Sequence, residues 1–411
     1  MKIKFDVTQF LLQNGFQTPT GISRVELAYV KHLLEQKDYD VSFVTSYPPF
    51  LNRIDRSKIE DYVHATELCW GTEGDAKQNV AQRRRTALSA IRNATRNGIL
   101  LKERLSQISS GSTEIYLSVS GWRLPTPWVA SWLLKRPETK PVFLLHDIIP
   151  LSHPEYVRKK SRQKYKVYLE RILRSGALIL ANSEDTKQEL LKHCVSKGIL
   201  APQIETLPLG VSPSVRNRPV SPEPTAPYFM VIGTVEPRKN HHLLIEAWKR
   251  MLKEAEGKQV PKLFIVGKLG WSGSKILNAL AQEDLLQDHV VHITGASDET
   301  IALMLQRATG VLFPSFVEGY GLPLVEALGK QVPVICSDLA VFRELGGEYP
   351  RYVSPDDIEG WISAIQDLTN QSPSDRMAEI ERLEGFSAYQ WKDHFAQLDR
   401  LLRALPDKAS I

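Results

Sequence analysis

Two runs, VFLLHD at Val142–Asp147 and ALILA at Ala177–Ala181, are apolar on both faces of an extended chain. Strands of that kind are satisfied only in a sheet that helices cover on both sides. Short apolar runs alternating with helical patterns recur along most of the 411 residues. Such alternation predicts βα units and parallel sheets. In the first half, strands are expected at Lys2–Val7, Val41–Ser46, Glu114–Val119, Val142–Asp147 and Ala177–Ala181. The second half repeats the scheme at Tyr228–Gly233, Leu263–Gly267, Val290–Thr294, Gly310–Pro314 and Val332–Cys336. Helices are expected between them at His242–Leu252, Asp298–Ala308 and Pro323–Gly329.

The two series are separated by Val211–Pro227, VSPSVRNRPVSPEPTAP, which is rich in Pro and Ser and has no apolar period. It reads as a linker. The expected organisation is α/β: two doubly wound domains facing a cleft, at 1–212 and 228–385, with the Pro-rich linker at 213–227. A C-terminal helix is expected in 386–411, able to cross back to the N-terminal domain; it carries Trp391, Phe395, Leu398, Leu401 and Leu402 at spacings of three and four.

Composition removes several classes. Hydrophobic residues make 42% and charged residues 24%, too apolar for a disordered chain. Three widely spaced cysteines, Cys69, Cys194 and Cys336, exclude a disulfide scaffold and a CxxC-type zinc site. The opening MKIKFDVTQF reads as a strand rather than a signal peptide, and no run of about 18 apolar residues is present. A cytoplasmic location is the expectation. A net charge of +5 is too mild to argue for nucleic acid.

The residues that carry chemistry lie mostly in the second half. In Ser315–Gly329, SFVEGYGLPLVEALG, Glu318 stands in a Gly-rich loop after the strand GVLFP, and Glu326 lies in the helix that Pro323 opens. The Gly319-Tyr320-Gly321-Leu322 stretch feeds a helix N-terminus, whose N–H groups suit an anion. Carboxylates are poor partners for phosphate but good acceptors for sugar hydroxyls, so the pair points to a nucleotide sugar. Gly233–Asn240, GTVEPRKN, follows another strand and brings Arg238 and Lys239 to its carboxyl end, where open α/β sheets place ligands. Arg grips diphosphate oxygens through two donors and Lys adds a point charge.

Together, the Glu318/Glu326 E-x7-E element and GTVEPRKN resemble family 4 glycosyltransferases, retaining enzymes of the two-domain, Rossmann-like GT-B fold. Thr20-Gly21-Ile22-Ser23-Arg24, His146-Asp147, Asn182-Ser183-Glu184 and Leu207-Pro208-Leu209-Gly210 extend the likeness through the first half. The resemblance implies that Glu318 contacts the donor sugar and Glu326 the ribose. It places Arg238 and Lys239 on the diphosphate, Gly21 and Gly233 beside it, and His146 near the transferred sugar. Where many members carry Arg after the glycine corresponding to Gly233, this chain has Thr234. Read alone, Gly21 is also what a turn before a helix would place, His146 a core histidine, and Ser183 a helix cap.

No obligatory metal or cofactor is expected. Asp38-Tyr39-Asp40 matches a metal-binding D-x-D by letters only, since it precedes a strand. The resemblance implies a same-face displacement in which the departing phosphate oxygen takes the acceptor's proton, with GDP-mannose as the first guess for donor. It further implies a glycan or lipid-linked glycan acceptor in bacterial surface-polysaccharide assembly. Rhamnosyl or glucosyl transfer and a nucleotide-sugar epimerase are the alternatives. Two basic stretches, Lys77–Arg104 (with Arg83, Arg84 and Arg85) and Arg158–Arg174, suggest contact with an anionic membrane surface. The first is expected to be an amphipathic helix interrupted around Asn97-Gly98. Nucleic acid is not an expected partner, for the interleaved aromatics of such a module are missing.

Overall fold

A computed structural model describes residues 1–15, 19–46, 51–71, 76–100, 114–120, 129, 133, 136, 138–211, 226–255, 257, 259–281 and 283–405. The chain divides into two units: Met1–Ser152, Lys159–Leu209 and Trp391–Ile411 form the first, and His153–Arg158 with Gly210–Gln390 the second. The body of the proposed linker, 212–225, lies outside the described residues. Val211 does not behave as linker. It is buried, and its N–H donates to the Tyr389 carbonyl at 2.9 Å.

In the first unit, strands β1 (Lys2–Asp6), β2 (Asp40–Thr45), β3 (Asn52–Ile54), β4 (Glu114–Ser118), β5 (Thr139–Leu145), β6 (Leu178–Ala181) and β7 (Ile204–Thr206) form one sheet. Their order is β3-β2-β1-β4-β5-β6-β7, parallel except for β3 against β2. The second unit holds β8 (Tyr228–Ile232), β9 (Lys262–Val266), β10 (Val290–Ile293), β11 (Gly310–Phe313), β12 (Val334–Ser337) and β13 (Arg351–Val353). Here the order is β10-β9-β8-β11-β12-β13, parallel throughout. Both sheets are doubly wound, as expected, with order reversing between β1 and β4 and between β8 and β11. Short β3, β7 and β13 carry too few apolar residues to have been read as strands.

The alternation of side chains explains why the runs are apolar throughout. On one face of the second sheet Phe229, Val231, Leu263, Ile265, Leu312 and Ile335 pack with Trp248 and Trp361 from two covering helices. On the other, Met230, Val266, Val311, Phe313, Val334 and Cys336 pack with Leu324 and Val325. Strands β8, β11 and β12 therefore remove both their faces from water, at about 25 cal/mol per Å² of apolar surface. All three cysteines are free and buried.

The basic stretches differ in detail from expectation. The helix Ala76–Leu100 runs through Asn97-Gly98 without a break. Asn97 Nδ2 donates to the Arg53 carbonyl at 3.1 Å and to Asp55 Oδ1 at 3.2 Å, and these tertiary ties outweigh the weak helix propensity of Asn-Gly. Arg83 is not a surface cation. It is 1% exposed, its Nε donates to Thr66 Oγ1 at 3.0 Å, and its guanidinium lies 4.7 Å from the Trp70 ring centre and 5.4 Å from that of Tyr62. Arg84 and Arg85 are exposed. In the helix Lys159–Arg174, Tyr165, Tyr168, Leu169, Ile172 and Leu173 are buried while Lys159, Lys160, Arg162, Lys164 and Lys166 face solvent. Lys102 and Arg104 lie outside the described residues.

Two further buried groups shape the first unit. Glu26, on the helix Gly21–Glu35, is pushed up to about 8 by burial, with Asp6 adding to the effect and the Ser120 hydroxyl and Arg83 opposing it. Its carboxyl is protonated at neutral pH. The helix Trp391–Arg403 joins this unit through His394, whose Nδ1–H donates to the Pro208 carbonyl at 2.6 Å while Nε2 accepts from the Tyr29 hydroxyl at 2.8 Å. Burial holds His394 down to about 4, against the pull of that carbonyl. Because the folded value lies below the unfolded one, the folded chain binds fewer protons in this window. His394 thus contributes stability that is present above pH about 6.5 and lost as pH falls toward 4. The difference in unfolding free energy between wild type and His394→Gln, measured by urea titration, should shrink by about 3 kcal/mol from pH 7 to pH 4.

Candidate functional site

The second unit gathers its chemistry at the reversal of strand order, the place where doubly wound sheets bind ligands. Strands β8 and β11 are neighbours there, with Phe229 opposite Gly310 and Met230 opposite Val311. The loop after β8 is GTVEPRKN. Pro237 opens a short 3₁₀ turn through Lys239, and Asn240 ends it in the left-handed region (φ 53°), where Asn is tolerated better than most residues. The next helix, His241–Lys253, starts at once. The loop after β11 carries Ser315 to Gly321 and leads into the helix Leu322–Gly329. Gly321 has φ 128° and a Cβ there would stand 2.9 Å from the Phe342 ring, so the turn into the helix requires glycine.

The two loops are tied by backbone and side chain. The Phe316 N–H donates to the Arg238 carbonyl at 2.9 Å, and Arg238 Nη1 donates to the Val317 carbonyl at 3.2 Å. Arg238 Nη1 also reaches Glu318 Oε2 at 2.6 Å, and Lys239 Nζ pairs with Glu318 Oε1. Ser315 Oγ donates to Glu318 Oε1 at 2.7 Å. On its other side Arg238 Nε meets Glu236 Oε1 at 2.7 Å. Burial works to raise Glu318, but Arg238 and Lys239 outweigh it and hold the carboxyl down to about 2. Burial lowers Lys239, and the adjoining Glu318 works against that. Immediately behind, buried His241 is held down to about 3, by desolvation first and then by the charge of Lys239, and is neutral.

A third loop, absent from the sequence reading, underlies this arrangement. It follows β9 and reads GKLGWSG, Gly267–Gly273. The Val235 N–H donates to the Lys268 carbonyl and the Gly270 N–H to the Val235 carbonyl, each at 2.9 Å. A Cβ on Gly267 would fall 1.9 Å from the Gly233 carbonyl oxygen, one on Gly270 2.6 Å from Thr234 Cγ2, and one on Gly273 2.5 Å from the Val235 carbonyl. Glycine at every third position after a strand was the available signal. Thr234, in place of an Arg, packs its methyl into this contact.

Of the sequence-predicted residues, Arg238, Lys239 and Glu318 are in direct contact, and Gly233 adjoins the Lys239 ammonium. Gly319 and Tyr320 continue the Glu318 loop, with Tyr320 buried, and Leu322 begins the following helix. Glu326 is the half-buried polar position on that helix, among buried Leu324, Val325, Ala327 and Leu328. His146 and Gly21 belong to the first unit. His146 is buried directly after β5 and its Nε2–H donates to the Val119 carbonyl at 2.7 Å, leaving Nδ1 as the acceptor. Burial lowers its pKa, so the ring is neutral at pH 7. Gly21 opens the helix Gly21–Glu35, capped by Thr20, whose Oγ1 accepts from the Ser23 N–H at 3.2 Å. Ser183 caps the helix Glu184–Lys197, accepting from the Thr186 N–H at 3.0 Å. Among the described residues no cluster of three or more His, Cys, Asp or Glu has metal-binding geometry.

Comparison with known proteins gives this geometry a context. Residues 215–382 match the family described as Glycosyl transferases group 1. A serotype-specific mannosyltransferase, WbdA of Escherichia coli, is 30% identical over 246 residues, 54% of this chain and 30% of its own. An O-antigen chain mannosyltransferase B of the same species is 29% identical over 244 residues, 56% of this chain and 62% of its own. The chain thus spans under two thirds of these relatives. Among solved structures, a sucrose-phosphate synthase from Thermosynechococcus elongatus superposes with TM-score 0.62 at 18% identity, covering 98% of this chain and 99% of that one. This likeness shows the fold alone, a GT-B-type pair of doubly wound domains.

The third loop makes a direct prediction. Gly267→Ala should lower stability by roughly 3 kcal/mol or more, since backbone must move to admit the methyl group. Thermal unfolding beside a surface control, Lys275→Ala, measures it; a melting point within a degree of the control would show that the loops are not in this contact.

Proposed function

We propose, from the premise that residues 215–382 belong to the group 1 glycosyltransferases, that this chain transfers a hexose from a nucleotide sugar to a glycan or lipid-linked glycan. Mannose from GDP-mannose is the preferred donor, in keeping with the mannosyltransferase names of its relatives. The observation that carries the reading is the meeting of Arg238, Lys239 and Glu318 at the reversal point of the second sheet. Two cations at strand ends suit a departing diphosphate, and a carboxylate between them suits a sugar hydroxyl. The N-terminus of the helix Leu322–Gly329 adds N–H donors for the same anion.

Transfer proceeds with retention. The donor C1–O bond to phosphate breaks through an oxocarbenium-like state, the acceptor oxygen bonds to C1 on the same face, and the leaving phosphate oxygen takes the acceptor's proton. Stabilising the charge that builds on the diphosphate is then the protein's main contribution. Arg238 and Lys239 supply it, Glu326 holds the ribose, and no obligatory metal is required. Gly21 and His146 of the first unit keep the roles that the resemblance gives them. The acceptor pathway proposed is assembly of a bacterial surface polysaccharide.

Release of GDP from GDP-mannose that depends on a glycan acceptor tests the activity. Release without acceptor would mark an epimerase, and no release with any of GDP-mannose, GDP-rhamnose and UDP-glucose would reject the reading. Arg238→Ala should lower turnover by roughly 10²–10³, the scale for removing one donor from a developing oxyanion. Turnover within a few-fold of wild type would take Arg238 out of the site.

Peripheral attachment to an anionic membrane is part of the proposal, supported by the exposed cations Arg84, Arg85, Lys159, Lys160, Arg162, Lys164 and Lys166. No helix among the described residues is long and apolar enough to cross a membrane. Each basic residue near an anionic leaflet contributes about 1 kcal/mol. Cosedimentation with anionic liposomes at low salt should be lost when Arg84, Arg85, Lys160 and Lys164 are changed to Glu. Arg83 must be left intact, because it is a core residue. Equal pelleting of the two proteins would refute attachment through these faces.

A further inference from the structure

Four charged side chains joined by direct contact at the donor site sum to zero. Arg238 and Lys239 carry two positive charges, and Glu236 and Glu318 two negative ones, all joined in one chain of contacts. A diphosphate arriving here meets cations that are already matched. Both oxygens of Glu318 are occupied: Oε2 by Arg238, Oε1 by Lys239 and the Ser315 hydroxyl. Its side chain is only 7% exposed, so these contacts are not diluted by water. With Oε1 held twice and Oε2 held by Arg238, Glu318 must give up a contact to turn fully to a sugar hydroxyl.

We propose that Glu318 is a resident counter-anion of the donor site, which the pyrophosphoryl group of the nucleotide sugar displaces from Arg238 and Lys239, so that the released carboxylate is turned over to the sugar. The inference rests on the donor reading above and adds an order of events to it. A pyrophosphoryl group carries more charge than one carboxylate and has two phosphoryl groups to offer two cations, so the exchange is favourable on electrostatic grounds. No covalent bond changes in this step; two ion pairs are exchanged for two others. Glu318, held down to about 2 in the resting state, stays ionised throughout. The resting ion pairs reduce apparent donor affinity by the fraction of molecules in which they are intact. In return, Lys239, whose side chain is 12% exposed, keeps a counter-charge when no donor is bound.

The alternative is a strut: Glu318 fixes the cations in the geometry that the diphosphate needs, and stays with them when it binds. The two differ in sign. Under displacement, Glu318→Gln removes the competitor, so inorganic pyrophosphate and GDP should each bind about tenfold tighter by calorimetry at fixed ionic strength, while turnover falls. Under the strut, both affinity and turnover fall. Ser315→Ala provides a second variant that keeps all four charges and only loosens the hold on Oε1. It should tighten pyrophosphate binding a few-fold, and it carries the test if Glu318→Gln does not fold. Wild type that binds pyrophosphate or GDP, with the folded variants binding no tighter, overturns the displacement alone. Wild type that binds neither overturns the donor reading along with it.

Discussion

Backbone against backbone, with no side chain between, is the contact on which the second unit's chemistry depends. Gly267 lies so close to the Gly233 carbonyl that even a methyl group is excluded, Gly273 repeats the approach at the Val235 carbonyl, and between them Gly270 makes room for the Thr234 methyl. This fixes the path of GTVEPRKN as it leaves the sheet. From that path follow the 3₁₀ turn, the direction in which Arg238 and Lys239 leave the chain, and the hydrogen bond that joins Arg238 to Phe316 in the neighbouring loop. The ion pairs with Glu318 are the last layer. They are strong because the layer beneath is rigid, and rigid because three residues have no side chain.

Much of this architecture was legible in the sequence, for a physical reason. Strands buried on both faces cannot hide their composition, so YFMVI, LFIV and VFLL announce both the sheet and its covering helices. The loops after β8 and β11 were legible because Gly, Pro, Arg, Lys and Glu at strand ends have few structural uses. The short strands β3, β7 and β13 were not, since edges and three-residue strands need little apolar surface. GKLGWSG makes its contacts through absent side chains, so its one mark in the sequence is glycine at every third position.

Charge runs were the least reliable guide. Arg83, Arg84 and Arg85 are indistinguishable in the sequence, yet one is enclosed by Tyr62, Thr66 and Trp70 and two are exposed. Only the position of the residue on its helix decides which. The buried carboxyls of the first unit were equally hidden. Asp6 accepts from the Tyr116 hydroxyl and the Thr8 N–H, Glu26 from Ser120, and partners separated by up to 110 positions in the chain cannot be paired by inspection.

The hydrogen bond between His394 and Tyr29 joins residues 365 positions apart. It makes the first unit a discontinuous object, with the second inserted between its body and its final helix. On the ribosome, β1 through β7 emerge long before the Trp391–Arg403 helix, and throughout that interval the surface around Tyr29, His32 and Pro208 waits for its cover. The second unit, whose residues are nearly contiguous, has everything it needs earlier. Birth order and completion order are therefore reversed: the half synthesised first is the half finished last.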